Sequence, residues 1–118
     1  MEFEQNLING IHVVRILEKK LTSHEAPDLK TALLSWIMAD GQHLLLNLGG
    51  VEQMDSTGLG ALLFGIRQAE RQGKDLSICM MQRKIRFLVR IAHLEDVISI
   101  YEAEDDAITE LGLDETET

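Results

Sequence analysis

The chain has 118 residues, the length of one ordinary domain, and 45% of them are hydrophobic, which excludes a disordered protein. The single cysteine, Cys79, excludes a disulfide framework and a cysteine-rich zinc site. The net charge is −9, but residues 102–118 hold eight of the 20 acids and no base, so the rest of the chain is nearly neutral. The chain therefore lacks the excess of Lys and Arg residues that binding to nucleic acid requires.

The chain also lacks a run of about 18 apolar residues, so we expect no direct membrane insertion. Its acidic start, Met-Glu-Phe-Glu-Gln-Asn, stands where a signal peptide would be basic, which favours the cytoplasm. We expect one domain over residues 1–111, followed by an acidic and flexible tail over residues 112–118.

Short apolar runs predict β-strands, and Asn9-Gly10 between the first two predicts a hairpin, so the first pair should be antiparallel. The third run is almost continuously apolar, as in a strand that is covered on both faces. The five predicted strands cover residues 3–7, 11–17, 43–48, 76–81 and 97–101.

Segments of helical period lie between the later strands and after the last one. Ser23 or Thr22 is suited to cap the first helix, Pro27 to its first turn, and Gly73 to the end of the second helix. This alternation predicts an α/β fold with a mixed, mostly parallel sheet of four to five strands and crossover helices. The predicted helices cover residues 25–39, 57–72, 83–93 and 105–111.

The loop after the third strand is the first place to expect a functional site, because sites in parallel sheets gather where a strand ends and a helix begins. Residues 55–60 of this loop read Asp-Ser-Thr-Gly-Leu-Gly. The first three are good helix caps, and Gly58 and Gly60 would let another backbone approach closely. A phosphate on Ser56 would be tolerated at a helix N-terminus, although simple capping explains the same residues.

Residues 44–63, Leu-Leu-Leu-Asn-Leu-Gly-Gly-Val-Glu-Gln-Met-Asp-Ser-Thr-Gly-Leu-Gly-Ala-Leu-Leu, closely resemble the signature of the STAS domain (sulfate transporter and anti-sigma factor antagonist). Residues 93–100, His-Leu-Glu-Asp-Val-Ile-Ser-Ile, resemble the family's segment that enters the last strand. The resemblance covers residues 5–111 and implies a STAS-like fold. Single-domain bacterial members are typically anti-sigma factor antagonists.

The resemblance implies a non-enzymatic regulator of transcription that acts by partner switching. In the family, an anti-sigma factor with serine kinase activity phosphorylates the serine after the motif aspartate, and a PP2C-type serine phosphatase reverses this. The unmodified antagonist binds the anti-sigma factor and so frees the sigma factor. Ser56 is then the implied phosphoacceptor, with Thr57 the second choice. The partner-binding residues that the resemblance implies are Asp55, Ser56, Thr57, Gly58, Leu59 and Thr22.

The chain departs from the family in the Gly-x-Leu-Asp pattern that precedes the first helix. Aligned on Leu21, it has Lys19 in place of the glycine and Thr22 in place of the aspartate. In the family that aspartate lies beside the phosphorylation loop and helps partner recognition. A second interpretation therefore stays open, a STAS scaffold subunit of a membrane transport complex or a stress-signalling assembly without obligatory phosphorylation.

The sequence gives little support for a metal site, a catalytic nucleophile or a receiver domain. The four histidines lack paired metal-ligand spacing, no nucleophile elbow is present, and the acidic pair of a receiver domain is missing. We therefore expect no metal, no cofactor and no catalytic residue. A monomer is the default expectation for this architecture. A basic side of the third helix is either a solvated face or an edge that meets acidic groups on a partner. Its residues are Arg83, Lys84, Arg86 and Arg90.

Overall fold

The computed structural model of the protein describes residues 1–39 and 41–116. Within them, strands and helices alternate as the sequence predicts. The strands are β1 (Phe3–Ile8), β2 (Ile11–Ile16), β3 (Lys20–Leu21), β4 (His43–Asn47), β5 (Gln53–Met54), β6 (Asp75–Cys79) and β7 (Ser99–Tyr101). The helices are α1 (Ala26–Met38), α2 (Ser56–Arg71), α3 (Arg83–Ile91) and α4 (Glu104–Thr116).

The main sheet has five strands in the order β1-β2-β4-β6-β7. β1 pairs antiparallel with β2 through the turn at Asn9 and Gly10, whose φ angles of 51° and 79° fit the predicted hairpin. The other neighbours pair parallel, because helices carry the chain back between them. The predicted mixed, mostly parallel sheet is therefore confirmed.

Helices cover both faces of this sheet. Leu44 and Leu46 of β4 face a large core that includes side chains of α1, α2 and α3. Leu45, between them, points the other way into a smaller core against α4, where it meets Cys79 and Ala107. This alternation explains why the sequence of β4 is apolar at successive positions.

The observed elements differ from the predicted ones mainly at their ends. β6 ends at Cys79, two residues earlier than predicted, where Met80 takes a left-handed φ of 62°. α4 runs to Thr116, past the predicted end at residue 111. Its last residues belong to the predicted tail, whose flexibility stays a prediction and whose final residues 117–118 lie outside the described part of the chain.

The N-cap residue of α1 differs from the one predicted. Neither Ser23 nor Thr22 occupies the N-cap position, which belongs to Glu25. The Glu25 carboxylate instead accepts hydrogen bonds from the backbone N–H and the hydroxyl of Thr22, at 2.9 and 2.7 Å. Pro27 lies in the first turn, as predicted. Gly73 follows the end of α2 with a φ of 70°, which is the left-handed conformation expected of a helix-ending glycine.

Candidate functional site

A small second sheet, which the sequence did not predict, holds the loop that precedes α2. β3 and β5 pair parallel, with Leu21 opposite Met54. The Lys19 carbonyl oxygen accepts a further hydrogen bond from the backbone N–H of Glu52 at 2.8 Å. Through these bonds, the segment after β2 and the segment before α2 lie side by side at the carboxyl-terminal edge of the main sheet.

The Asp55 side chain links the beginning of α2 to the segment that follows β3. It is the N-cap residue, and its Oδ1 accepts a hydrogen bond from the backbone N–H of Gly58 at 2.9 Å. Its Oδ2 accepts a second bond from the backbone N–H of Ser23 at 3.1 Å. These bonds, led by the one from Gly58, lower the pKa of the Asp55 carboxyl below its usual value. The carboxylate is therefore ionised at neutral pH and links two loops.

Gly58 is the position where α2 touches β3. A Cβ atom on Gly58 would lie 1.8 Å from the carbonyl oxygen of Leu21, closer than any real contact. The prediction that a glycine here admits another backbone is confirmed. The same prediction for Gly60 is wrong, because a Cβ there would meet no atom within 4 Å. Gly60 lies on the exposed side of α2.

The structure brings the six predicted site residues together, but they do not share one environment. Ser56 and Thr57, the first two residues of α2, are exposed. Thr22 is half-buried and directly precedes Ser23, whose backbone N–H donates to Asp55. Leu59 is only 4% exposed, so its side chain belongs to the core. Leu59 therefore stabilises the beginning of α2 from within the core and presents almost no surface to a partner.

The two departures from the family pattern are accommodated locally. Lys19 does not adopt a left-handed φ, so its backbone does not require the glycine that the family has at this position. Thr22 holds the Glu25 carboxylate at 2.7 Å, so a carboxylate is still present next to the position where the family has aspartate. The Thr22 bonds lower the pKa of Glu25, which is therefore charged at neutral pH.

A polar network that sequence reasoning missed lies on the other face of the same edge. Arg15 donates two hydrogen bonds to the Glu104 carboxylate, at 2.9 Å from Nε and 2.6 Å from Nη2. Asn47 donates to the same carboxylate at 3.0 Å and accepts from the backbone N–H of Gly49 at 2.8 Å. The first turn of α4 is thereby fixed to the ends of β2 and β4, where the site loop begins. Only the three-dimensional structure joins residues so far apart in sequence.

Within residues 1–39 and 41–116, no cluster of three or more His, Cys, Asp or Glu side chains is placed to hold a metal ion. Over the same residues, no helix combines the length and the apolar character needed to cross a bilayer.

The chain belongs to the STAS domain family, whose model matches residues 3–107. Over 112 residues it is 26% identical to an anti-sigma F factor antagonist of Paenibacillus polymyxa, a match that covers 94% of this chain and 95% of the relative. The STAS-like fold is confirmed by similarity to an anti-sigma-factor antagonist (STAS) domain protein from Planctomyces limnophilus, with a TM-score of 0.82, 16% identity, and coverage of 92% of this chain and 96% of that one. The fold is also similar to that of the Bacillus cell fate determinant SpoIIAA in its phosphorylated form, with a TM-score of 0.68, 18% identity, and coverage of 93% and 99%.

Proposed function

We propose that the chain is an anti-sigma factor antagonist that is switched off by phosphorylation of Ser56. One observation carries the proposal. An exposed serine directly follows the N-cap aspartate of α2 in a STAS chain that matches a named anti-sigma F factor antagonist over nearly its whole length. In its unmodified form the chain binds an anti-sigma factor through the beginning of α2, and the sigma factor is released.

The electrostatics of the site support a switch at Ser56. A phosphate adds about −1.5 to −2 charges. It would stand next to the ionised Asp55, whose carboxylate is already satisfied by two backbone N–H groups. In a partner interface this added charge brings repulsion and a desolvation penalty of several kcal/mol. Because about 1.4 kcal/mol changes an affinity tenfold, one phosphate is enough to release the partner.

The same position lets the domain itself tolerate the modification. Ser56 is exposed and begins a 16-residue helix, whose positive end favours an anion. The phosphate therefore changes the binding surface without unfolding the protein. The chain contributes a positioned hydroxyl, and the chemistry comes from its partners: an anti-sigma factor with serine kinase activity and a PP2C-type serine phosphatase.

The rest of the proposed binding surface surrounds Ser56. Thr57 is exposed beside it, and Thr22 directly precedes Ser23, which is hydrogen-bonded to Asp55. The Glu25 carboxylate, held by Thr22, supplies the acidic group that the family has at position 22. We propose that the partner recognises this pair in place of a single aspartate.

Phosphopeptide mapping tests the modification itself. The purified chain is incubated with ATP and lysate of the source organism, and its mass is measured before and after treatment with a PP2C-type phosphatase. Wild type and Thr57→Ala should each gain one phosphate at Ser56, and Ser56→Ala should gain none. Equal phosphorylation of Ser56→Ala would refute the assignment. A complete lack of phosphorylation, with retention of the same partners, would favour the scaffold interpretation.

A further inference from the structure

A recessed surface lies along α3, and none of the residues around Ser56 lines it. It is a groove of about 590 Å³, which we call the α3 groove. Its walls combine arginines with an exposed aromatic ring and contain one carboxylate. The lining residues are Met81, Arg83, Arg86, Phe87, Arg90 and Glu102.

The α3 groove concentrates positive charge on an acidic protein. Residues 83–90 contain four of the 11 Lys and Arg residues and no acid, although the chain carries a net charge of −9. Arg86 is paired with Glu102, and Arg90 forms a longer ion pair with Glu95 at 3.8 Å, between two side chains that are both more than half exposed. No carboxylate of the described residues pairs with Arg83. Among the described residues, the groove therefore keeps one arginine, Arg83, without a carboxylate partner and a second, Arg90, whose ion pair is long and exposed.

This charge is placed against the local rules of helix stability. Arg83 and Lys84 occupy the first turn of α3, where the helix dipole is positive, and that turn has no acidic residue. The N-cap residue, Gln82, makes no side-chain capping bond. Residues that break a local rule without an internal compensation are expected at functional sites. Arg83, which has no carboxylate partner among the described residues, is thus better explained by an anionic ligand than by folding.

An aromatic side chain accompanies the arginines. Phe87 is 57% exposed and lies one helical turn from both Arg83 and Arg90. Arginine and exposed aromatic rings are the residues that dominate binding energy in protein interfaces. The concave shape fits an extended polypeptide better than a flat bilayer.

We propose that the α3 groove binds an acidic segment of a partner protein, with carboxylates on Arg83 and Arg90 and an apolar side chain against Phe87. The groove lies near the site described above, because α3 packs against β5 and the Gln82 side chain donates to the Gly49 carbonyl oxygen at 3.0 Å. It uses none of the residues around Ser56, so it stands or falls independently of the phosphorylation switch.

Fluorescence anisotropy tests the proposal with a short labelled peptide of glutamates and aspartates around one central leucine. The double variant Arg83→Glu/Arg90→Glu should lower its affinity at least tenfold. The control Lys84→Glu/Arg67→Glu, which changes the net charge by the same amount at two residues outside the groove, should change it less than threefold. A control peptide in which glutamine and asparagine replace the glutamates and aspartates should not bind. Equal losses from the groove variant and the control would reduce the effect to general charge and overturn the proposal.

A second pair of variants tests the aromatic contact without changing charge. Phe87→Ala should weaken peptide binding about fivefold, and Ile91→Ala, which removes a side chain of the same 57% exposure outside the groove, should not. Ser56→Asp should bind the peptide like wild type. Absence of peptide binding by wild type at low salt would overturn the proposal, as would binding to phosphatidylglycerol vesicles in its place.

Discussion

Replacing Gly58 by alanine should damage the site more than any other single-methyl change in α2. The new Cβ would lie 1.8 Å from the Leu21 carbonyl oxygen and 3.2 Å from Met54 Cγ. Ordinary contact begins near 3.4 Å, so the helix and β3 must separate by about 1.6 Å. Because the obstacle is backbone, no side-chain rotation relieves it. We expect a loss of about 2 kcal/mol in unfolding free energy, the middle of the range for overpacking, despite alanine's better helix propensity.

Gly60→Ala is the matched control for this change. It lies two residues further along the same helix, and its Cβ would meet nothing within 4 Å. It should stabilise the protein by up to about 1 kcal/mol, because alanine favours the helix. Urea unfolding followed by the fluorescence of Trp36, which is 4% exposed, measures both variants. Two changes of the same sign, or a Gly58→Ala variant as stable as wild type, would refute the close packing of α2 on β3.

Three further predictions concern the fold around the site. Because the Arg15 guanidinium lowers the pKa of Glu104, this pair should stabilise the protein fully above about pH 5 and lose its effect as pH falls through the lowered pKa. In urea unfolding, Glu104→Gln should be less stable than wild type by about 2 kcal/mol at pH 7 and by less in acid. An equal difference in stability at both pH values would contradict this prediction. Ser56→Asp should keep the wild-type melting temperature within about 3 °C, since the residue is exposed at a helix N-terminus; a large loss measured by circular dichroism would exclude a tolerated modification there. Burial raises the pKa of the Cys79 thiol to about 12, so the native protein should not react with a thiol reagent at pH 8 until it is unfolded, and fast reaction would contradict this burial.

The architecture of this protein could be predicted because its patterns are local and strong. The apolar run of β4, the Asn9-Gly10 turn and the helical periods of α1 and α2 each agree with the structure. The beginning of α2 followed from the same kind of signal, since aspartate at an N-cap is a property of neighbouring residues.

The missed features depend on contacts between distant segments. β3 and β5 are two residues long, too short to show a period, and they form only because Lys20 and Gln53 are brought opposite each other. The different roles of Gly58 and Gly60 could not be separated either, because their spacing says nothing about which one faces Leu21. The bonds from Arg15 to Glu104 join residues at opposite ends of the chain.

The most direct test of the account compares binding partners of wild type, Ser56→Asp and Thr57→Asp. Each purified chain serves as bait in lysate of the source organism, and retained proteins are quantified by mass spectrometry. We expect wild type to retain an ATP-binding anti-sigma factor of the serine kinase type, and Thr57→Asp to retain more of it than Ser56→Asp does. The retained protein should then bind purified wild type at least tenfold more tightly than Ser56→Asp. Equal binding of that protein by wild type and Ser56→Asp would reduce Ser56 to a residue of the helix end and contradict the switch.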